Sequence, residues 1–168
     1  MTSDDLPAYA DMHGRAEVAR YLYWEPRGPE EARASLERKA ANADPSEFVL
    51  AAVRNSDAAF VGEVNLHIYD AGNRAAEIGF IFHPQHHGHG YATEAAAGLL
   101  RIAFGDLGLH RVIGRCDARN GASAGVMRRL GMRQEAHFRQ NEFVKGEWCD
   151  ELVFALLDEE IPSPAGGE

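Results

Sequence analysis

The residues Gln85-His86-His87-Gly88-His89-Gly90 stand between two stretches of opposite character. Before them, Glu77-Ile78-Gly79-Phe80-Ile81-Phe82 alternates as a strand does, and Pro84 ends it because proline has no N–H to give a ladder. After them, Tyr91-Ala92-Thr93-Glu94-Ala95-Ala96-Ala97 is rich in strong helix formers. Glycines let a backbone approach a ligand closely, and the first turn of a helix leaves N–H groups unpaired beside the positive end of its dipole. The expected guest is an anion, above all a phosphate. A Walker loop needs Lys and Ser/Thr directly after its last glycine, where this chain has Tyr91 and Ala92, so an ordinary P-loop NTPase is excluded. The dinucleotide fingerprint asks for three glycines in fixed spacing, and only Gly88 and Gly90 are present.

The pattern Gln85-x-x-Gly88-x-Gly90 resembles the acetyl-CoA-binding motif of the GNAT superfamily of N-acetyltransferases, Gln/Arg-x-x-Gly-x-Gly/Ala. Its continuation Tyr91-Ala92-Thr93-Glu94-Ala95 is similar to the RimJ/RimL-like (ribosomal-protein-alanine N-acetyltransferase-like) branch. Further on, Asn120-Gly121-Ala122-Ser123, a helical stretch and Leu130-Gly131-Met132 resemble the family's second motif. The stretches Arg15–Trp24 and Phe138–Leu157 are similar to the branch's opening region and closing hairpin.

The resemblance implies an α/β, three-layer sandwich: a mixed, mostly antiparallel sheet splayed into a V, with helices on both faces. It implies acetyl-CoA as donor, no metal, and direct transfer in a ternary complex to a protein N-terminus, an amino acid or a small amine. The loop residues Gln85, His86, His87, Gly88, His89, Gly90, Tyr91 and Ala92 would hold the cofactor, chiefly through backbone N–H groups, with the Thr93 hydroxyl as a further donor. By the same analogy, amides near Ile81 and Phe82 meet the thioester carbonyl, and Asn120 lies beside the pantetheine arm.

Acetyl transfer also needs a neutral amine and a proton for the departing thiolate. An α-amine, with a reference pKa of about 7.7–8.0, needs less help than a lysine-type amine at about 10.4. Glu77 is the first candidate base, with Glu63 and His67 on the preceding strand second; Glu77 can equally serve the sheet alone. Where many superfamily members place a thiolate-protonating tyrosine, this chain has Met127, which leaves Ser123 as candidate donor to the sulfur. Ser123 can also act as an N-cap. A CoA-binding module without catalysis is the alternative that this departure suggests. Four histidines crowd His83 to His89, but three fill variable positions of a loop that binds through its backbone, with no evident supporting acids. Arg128, Arg129 and Arg133 suit either a 3′-phosphate or a solvated helix face.

These groups need elements to carry them. Ser3-Asp4-Asp5-Leu6-Pro7 starts a helix expected to run towards Glu17, with Tyr23 and Trp24 either facing substrate or sealing the core. A second helix is expected from Gly28 to Asn42–Pro45, with Ala32, Leu36 and Ala40 on one face. Glu47–Arg54 and Phe60–Tyr69 read as a hairpin, and Arg111–Cys116 as a strand. The resemblance implies an opening strand before the first helix, which is either absent or lies upstream of Met1; if it is absent, a bare sheet edge and a homodimer are expected.

The 168 residues suit a single domain, 1–157, followed by a mobile acidic tail, 158–168. A net charge of −9, from 26 acidic and 17 basic residues, disfavours nucleic acid or an anionic membrane and favours a cationic acceptor. Cys116 and Cys149 form no disulfide framework, and no signal peptide or membrane-length apolar run is present, which points to the cytoplasm.

Overall fold

A computed structural model describes residues 1–161; the remainder of the expected tail, 162–168, lies outside the described residues. The strands are β1 (Glu47–Val53), β2 (Phe60–Asp70), β3 (Ala75–Phe82), β4 (Arg111–Asp117), β5 (Arg133–Val144) and β6 (Glu147–Leu157). They form one sheet in the order β1-β2-β3-β4-β6-β5, antiparallel except between β3 and β4. The helices are α1 (Leu6–His13), α2 (Ala16–Ala19), α3 (Pro29–Ala41), α4 (Tyr91–Arg101) and α5 (Gly121–Arg129). No helix among the described residues is long and apolar enough to cross a membrane.

Alternation along the strands decides what each sheet face receives. Val64, Leu66, Ile78 and Phe82 join Leu99 and Leu100 of α4 and Met127 of α5 in the larger core. A buried leucine of this kind contributes roughly 1.5–3 kcal/mol. On the opposite face Tyr9 and Met12 of α1, Ala32 and Leu36 of α3, and Phe60 form a second cluster, against which Ile81 packs. This is the three-layer α/β arrangement, with helices on both faces, expected from the sequence.

Two helices depart from expectation. The first breaks at Gly14, whose N–H caps α1 by donating to the carbonyl of Ala10, while the His13 carbonyl is taken by Arg27 N–H; α2 restarts after the extended Arg15. In α3, Ala40 is exposed and Ser35 is buried instead, because Ser35 Oγ meets the Tyr9 hydroxyl at 2.9 Å and Arg27 at 2.8 Å. Beyond Leu157 the chain is not free at first. Asp158–Glu160 form a 3₁₀ turn, Asp158 accepts from His110 Nδ1 at 3.0 Å, and Ile161 packs against the core.

The sheet opens where the chemistry was expected. β3 and β4 pair only over Ala75–Glu77 against Arg111–Ile113. Past that point β3 stays with β2 as far as Phe82, and β4 stays with β6 as far as Asp117, so the twist of the sheet carries them apart. Glu77 is the last residue before the fork. At the sheet's edge, no strand among the described residues pairs with the outer side of β1.

Candidate active site

A cleft of about 690 Å³ follows the fork. β3 lines it with Phe80, Ile81 and Phe82, the loop with His86, His87, Gly88 and Gly90, and α4 with Tyr91, Ala92 and Thr93. Gly88 and Gly90 have φ of 81° and 82°, a region that side-chain-bearing residues avoid, and a Cβ on either would meet nothing within 4 Å among the described residues. The glycines are there for the turn, and they leave the space above it clear. From Gly88 to Thr93 the main-chain N–H groups find no acceptor among the described residues. A continuous row of free donors at the N-terminus of α4 fits a pyrophosphate.

The histidines stiffen this loop. His83 is buried, and its Nδ1 accepts from Gln85 N–H at 3.2 Å; Nε2 therefore carries the proton and donates to Asp11 at 2.7 Å. His87 Nε2 donates to the Phe82 carbonyl at 3.0 Å, and His89 stacks on Tyr91 with ring centroids 5.6 Å apart. The side chains of Gln85 and His89 do not line the cleft, and what His89 offers there is its main-chain N–H. The Asp11–His83 link, which joins α1 to the loop, has no local signature because its partners lie 72 residues apart.

On the far wall, Asn120, Gly121, Ala122 and Ser123 open α5. Asn120 is the cap: its Oδ1 accepts from Ser123 N–H at 3.1 Å. Ser123 is thus the third residue of the helix and not its cap, and its hydroxyl is left to the cleft. Met127 does not reach the cleft; it is 1% exposed and lies under Gly114 of β4. Arg129 does line the cleft, with Nε donating to the Thr93 hydroxyl at 3.2 Å, so a cation stands at the mouth beside the free N–H groups.

The opposite side of the fork is acidic. Glu77 faces Arg115 across it, with Arg115 Nε 3.4 Å from Glu77 and Nη1 3.8 Å from Glu151 on β6. Burial raises the Glu77 carboxyl above the ordinary range, and Arg115 acts against it. Glu151 is raised for the same first reason. The Tyr23 phenol is raised first by burial, and the charges of Glu142, Glu151 and Glu77 act in the same direction. Arg115, Glu142 and Glu151 were missed in the sequence, where each reads as an ordinary solvated strand residue.

The second-choice bases fare differently. Glu63 is 3% exposed and bound by Lys39 Nζ at 2.6 and 2.8 Å. Burial works to raise its carboxyl, but His13 and Lys39 outweigh it and hold it low, which makes Glu63 a structural ion pair. His67 is directed to Glu47, 3.9 Å away, with its side chain 46% exposed. The remaining wall comes from the segment at α2, through Glu17, Val18, Tyr21 and Leu22. Trp24 instead packs inward near His13 and under Arg27, and Tyr23 is 66% exposed.

The acetyltransferase (GNAT) domain family matches residues 1–133. The uncharacterized N-acetyltransferase YnaD of Bacillus subtilis is 36% identical over 160 residues, which is 93% of this chain and 89% of YnaD. The crystal structure of a GNAT-family acetyltransferase from Bacillus anthracis superimposes with a TM-score of 0.84 at 30% identity, covering 93% of this chain and 90% of that one. At 20% identity, the Vibrio cholerae spermidine N-acetyltransferase in complex with CoA and spermine shares the fold, with a TM-score of 0.82 over 95% of this chain and 94% of that one. A strand, a loop of free N–H groups and a forked sheet thus occur together in a chain that belongs to the GNAT family of acetyltransferases.

Proposed function

We propose that the protein transfers the acetyl group of acetyl-CoA to a primary amine by direct attack in a ternary complex. The observation that carries this reading is the unbroken row of free N–H groups from Gly88 to Thr93, on the same cleft that Phe80, Ile81 and Phe82 line beyond the fork; Glu77, at the fork itself, stands behind that wall. The row holds the pyrophosphate, Arg129 adds a cation, and Asn120 flanks the pantetheine arm. Amides of β3 near Ile81 and Phe82, on the edge that β4 has left, stabilise the charge that develops on the thioester oxygen. The amine nitrogen bonds to the acetyl carbon as the carbon–sulfur bond breaks. Glu77 takes the amine's proton, and Ser123 hydrogen bonds to the departing sulfur, whose proton is made good from solvent.

The acceptor we infer is cationic in its resting form. Glu77 and Glu151 share a single arginine at the fork, and the chain as a whole carries −9. Protein N-termini, amino acids and small amines all meet that description. The Tyr91–Ala95 motif favours the RimJ/RimL-like branch, while the spermine bound by the Vibrio cholerae fold neighbour speaks for polyamines. The free thiols of Cys116 and Cys149 suit a reducing cytoplasm. The unpaired edge of β1 supports a homodimer, readable by light scattering.

Release of free CoA across a panel of α-amines, lysine-type amines and polyamines tests the reading. With the best amine, Glu77→Gln is expected to lower the rate at pH 7 by about tenfold or more, and the deficit should shrink as pH rises and the amine loses its proton unaided. A deficit independent of pH would reduce Glu77 to a structural part. CoA binding with no turnover of any amine would leave the non-catalytic module, the reading that Met127 favours.

A further inference from the structure

Glu77 has neighbours on four sides. His67 of β2 pairs with it in register, Arg115 reaches it from β4, and Glu151 of β6 and Tyr23 of the segment after α2 lie within reach of its charge, with Glu142 of β5 acting on those two in turn. Arg115 is the one permanent cation in that set. Its position follows from the fork. Ile113 is the last residue of β4 that pairs with β3, opposite Glu77, and Arg115 lies two residues on, so its side chain leaves the same face of the sheet. Because the strands have parted there, the guanidinium can lean back over the gap instead of packing against a neighbour on β3.

The guanidinium is shared. It lies 3.4 Å from Glu77 and 3.8 Å from Glu151, and Glu151 is buried, in register with Asp117, and held by Asn141 Nδ2 at 2.8 Å. Glu151 is therefore a fixed anchor, while the Arg115 side chain is 43% exposed and Glu77 37%. Without a cation between them, Glu77 would sit partly out of water beside the Glu151 carboxylate. That environment favours a proton on the carboxyl.

Resting on the reading of Glu77 as the base, we propose that Arg115 is the residue that positions it: anchored on Glu151, it holds the Glu77 carboxylate over the fork in its proton-accepting form. Burial of Glu77 raises its carboxyl and Arg115 opposes this, in agreement with the geometry. Arg115 and Glu151 then act on Glu77 with opposite sign. Removing the cation should move the protonation of Glu77 to higher pH. Glu151→Gln takes away a repelling charge while its amide oxygen can still anchor the guanidinium, so protonation should move to lower pH.

The protein labelled with ¹³C at its glutamate side chains reads this without any substrate. The Glu77 carboxyl signal, assigned by its loss in Glu77→Gln, is titrated in the unliganded wild type, Arg115→Gln, Arg115→Lys and Glu151→Gln. The midpoint should rise in Arg115→Gln, return most of the way in Arg115→Lys, and fall in Glu151→Gln. With the amine found in the panel, kcat/KM of Arg115→Gln at pH 6 should drop about tenfold against wild type while the value at pH 9 stays within about twofold. A Glu77 midpoint unmoved in folded Arg115→Gln, or moved the same way in Arg115→Gln and Glu151→Gln, overturns the proposal. If Glu77→Gln retains full turnover, the base reading itself fails, an outcome separate from a failure of Arg115 to tune a base that works.

Discussion

Asn120 and Ser123 divide between them two tasks that sequence alone assigns to one residue. The Ser123 N–H is satisfied by Asn120 Oδ1, so α5 does not depend on the serine hydroxyl. Ser123→Ala is therefore expected to leave the melting temperature nearly unchanged, and to lower turnover by about tenfold to a few hundredfold with little change in CoA binding. Asn120→Ala should do the reverse at the level of stability, costing about 0.5–2 kcal/mol in chemical denaturation. Equal stability losses in the two variants would contradict this division. The sequence offered Ser123 both as cap of the helix it begins and as donor to the sulfur, with Asn120 beside the pantetheine arm, and both residues do line the cleft. Which of the two served as cap depended on a single side-chain orientation, and that is a property of the folded turn.

At the scale of elements, the loop between β3 and α4 was the most legible part of the chain, because its demands are local. Two glycines at φ of 81° and 82° and a run of helix formers can be read without knowing what packs above them. Gly90→Ala meets no neighbour, so its cost is conformational, about 1–2 kcal/mol for holding a Cβ at positive φ. Relief of that strain would twist the donors out of line, and acetyl-CoA affinity by calorimetry should fall about tenfold while the fold persists. Unchanged affinity would mean that the row of N–H groups is not the phosphate site. Elements whose partners are distant in sequence were read less well. The first helix was expected to continue to Glu17, but Gly14 turns the chain so that Arg27 N–H can cap the His13 carbonyl. Likewise β4 looked like an ordinary strand; only its early parting from β3 makes Arg115 part of the site.

Across the whole molecule, the second core encloses charges whose titration links stability to pH. His13 is 0% exposed, Nδ1 has no hydrogen-bond partner among the described residues, and Nε2 lies 3.3 Å from Glu63 but off the line a hydrogen bond needs. Burial holds its imidazole below the ordinary range, against the pull of Glu63. An unfolded histidine titrates near about 6.5, so below that pH the unfolded chain takes up a proton that the folded chain refuses, and stability is lost. Glu63 adds to the same trend further down. Its carboxyl is held low by His13 and Lys39 despite burial, so its contribution is present above the usual glutamate range and lost as pH falls through the folded value. For a chain of this length a loss of 1 kcal/mol lowers the melting temperature by about 2–4 °C, so scanning calorimetry can follow each window. Between pH 7.5 and 5.5 the melting temperature should fall in the wild type, and the fall should be flattened in His13→Gln, which keeps a neutral polar side chain in the same place but cannot titrate. If the two proteins lose stability in parallel over that range, His13 is not the group that protonates, and another acid-sensitive contact must account for the slope.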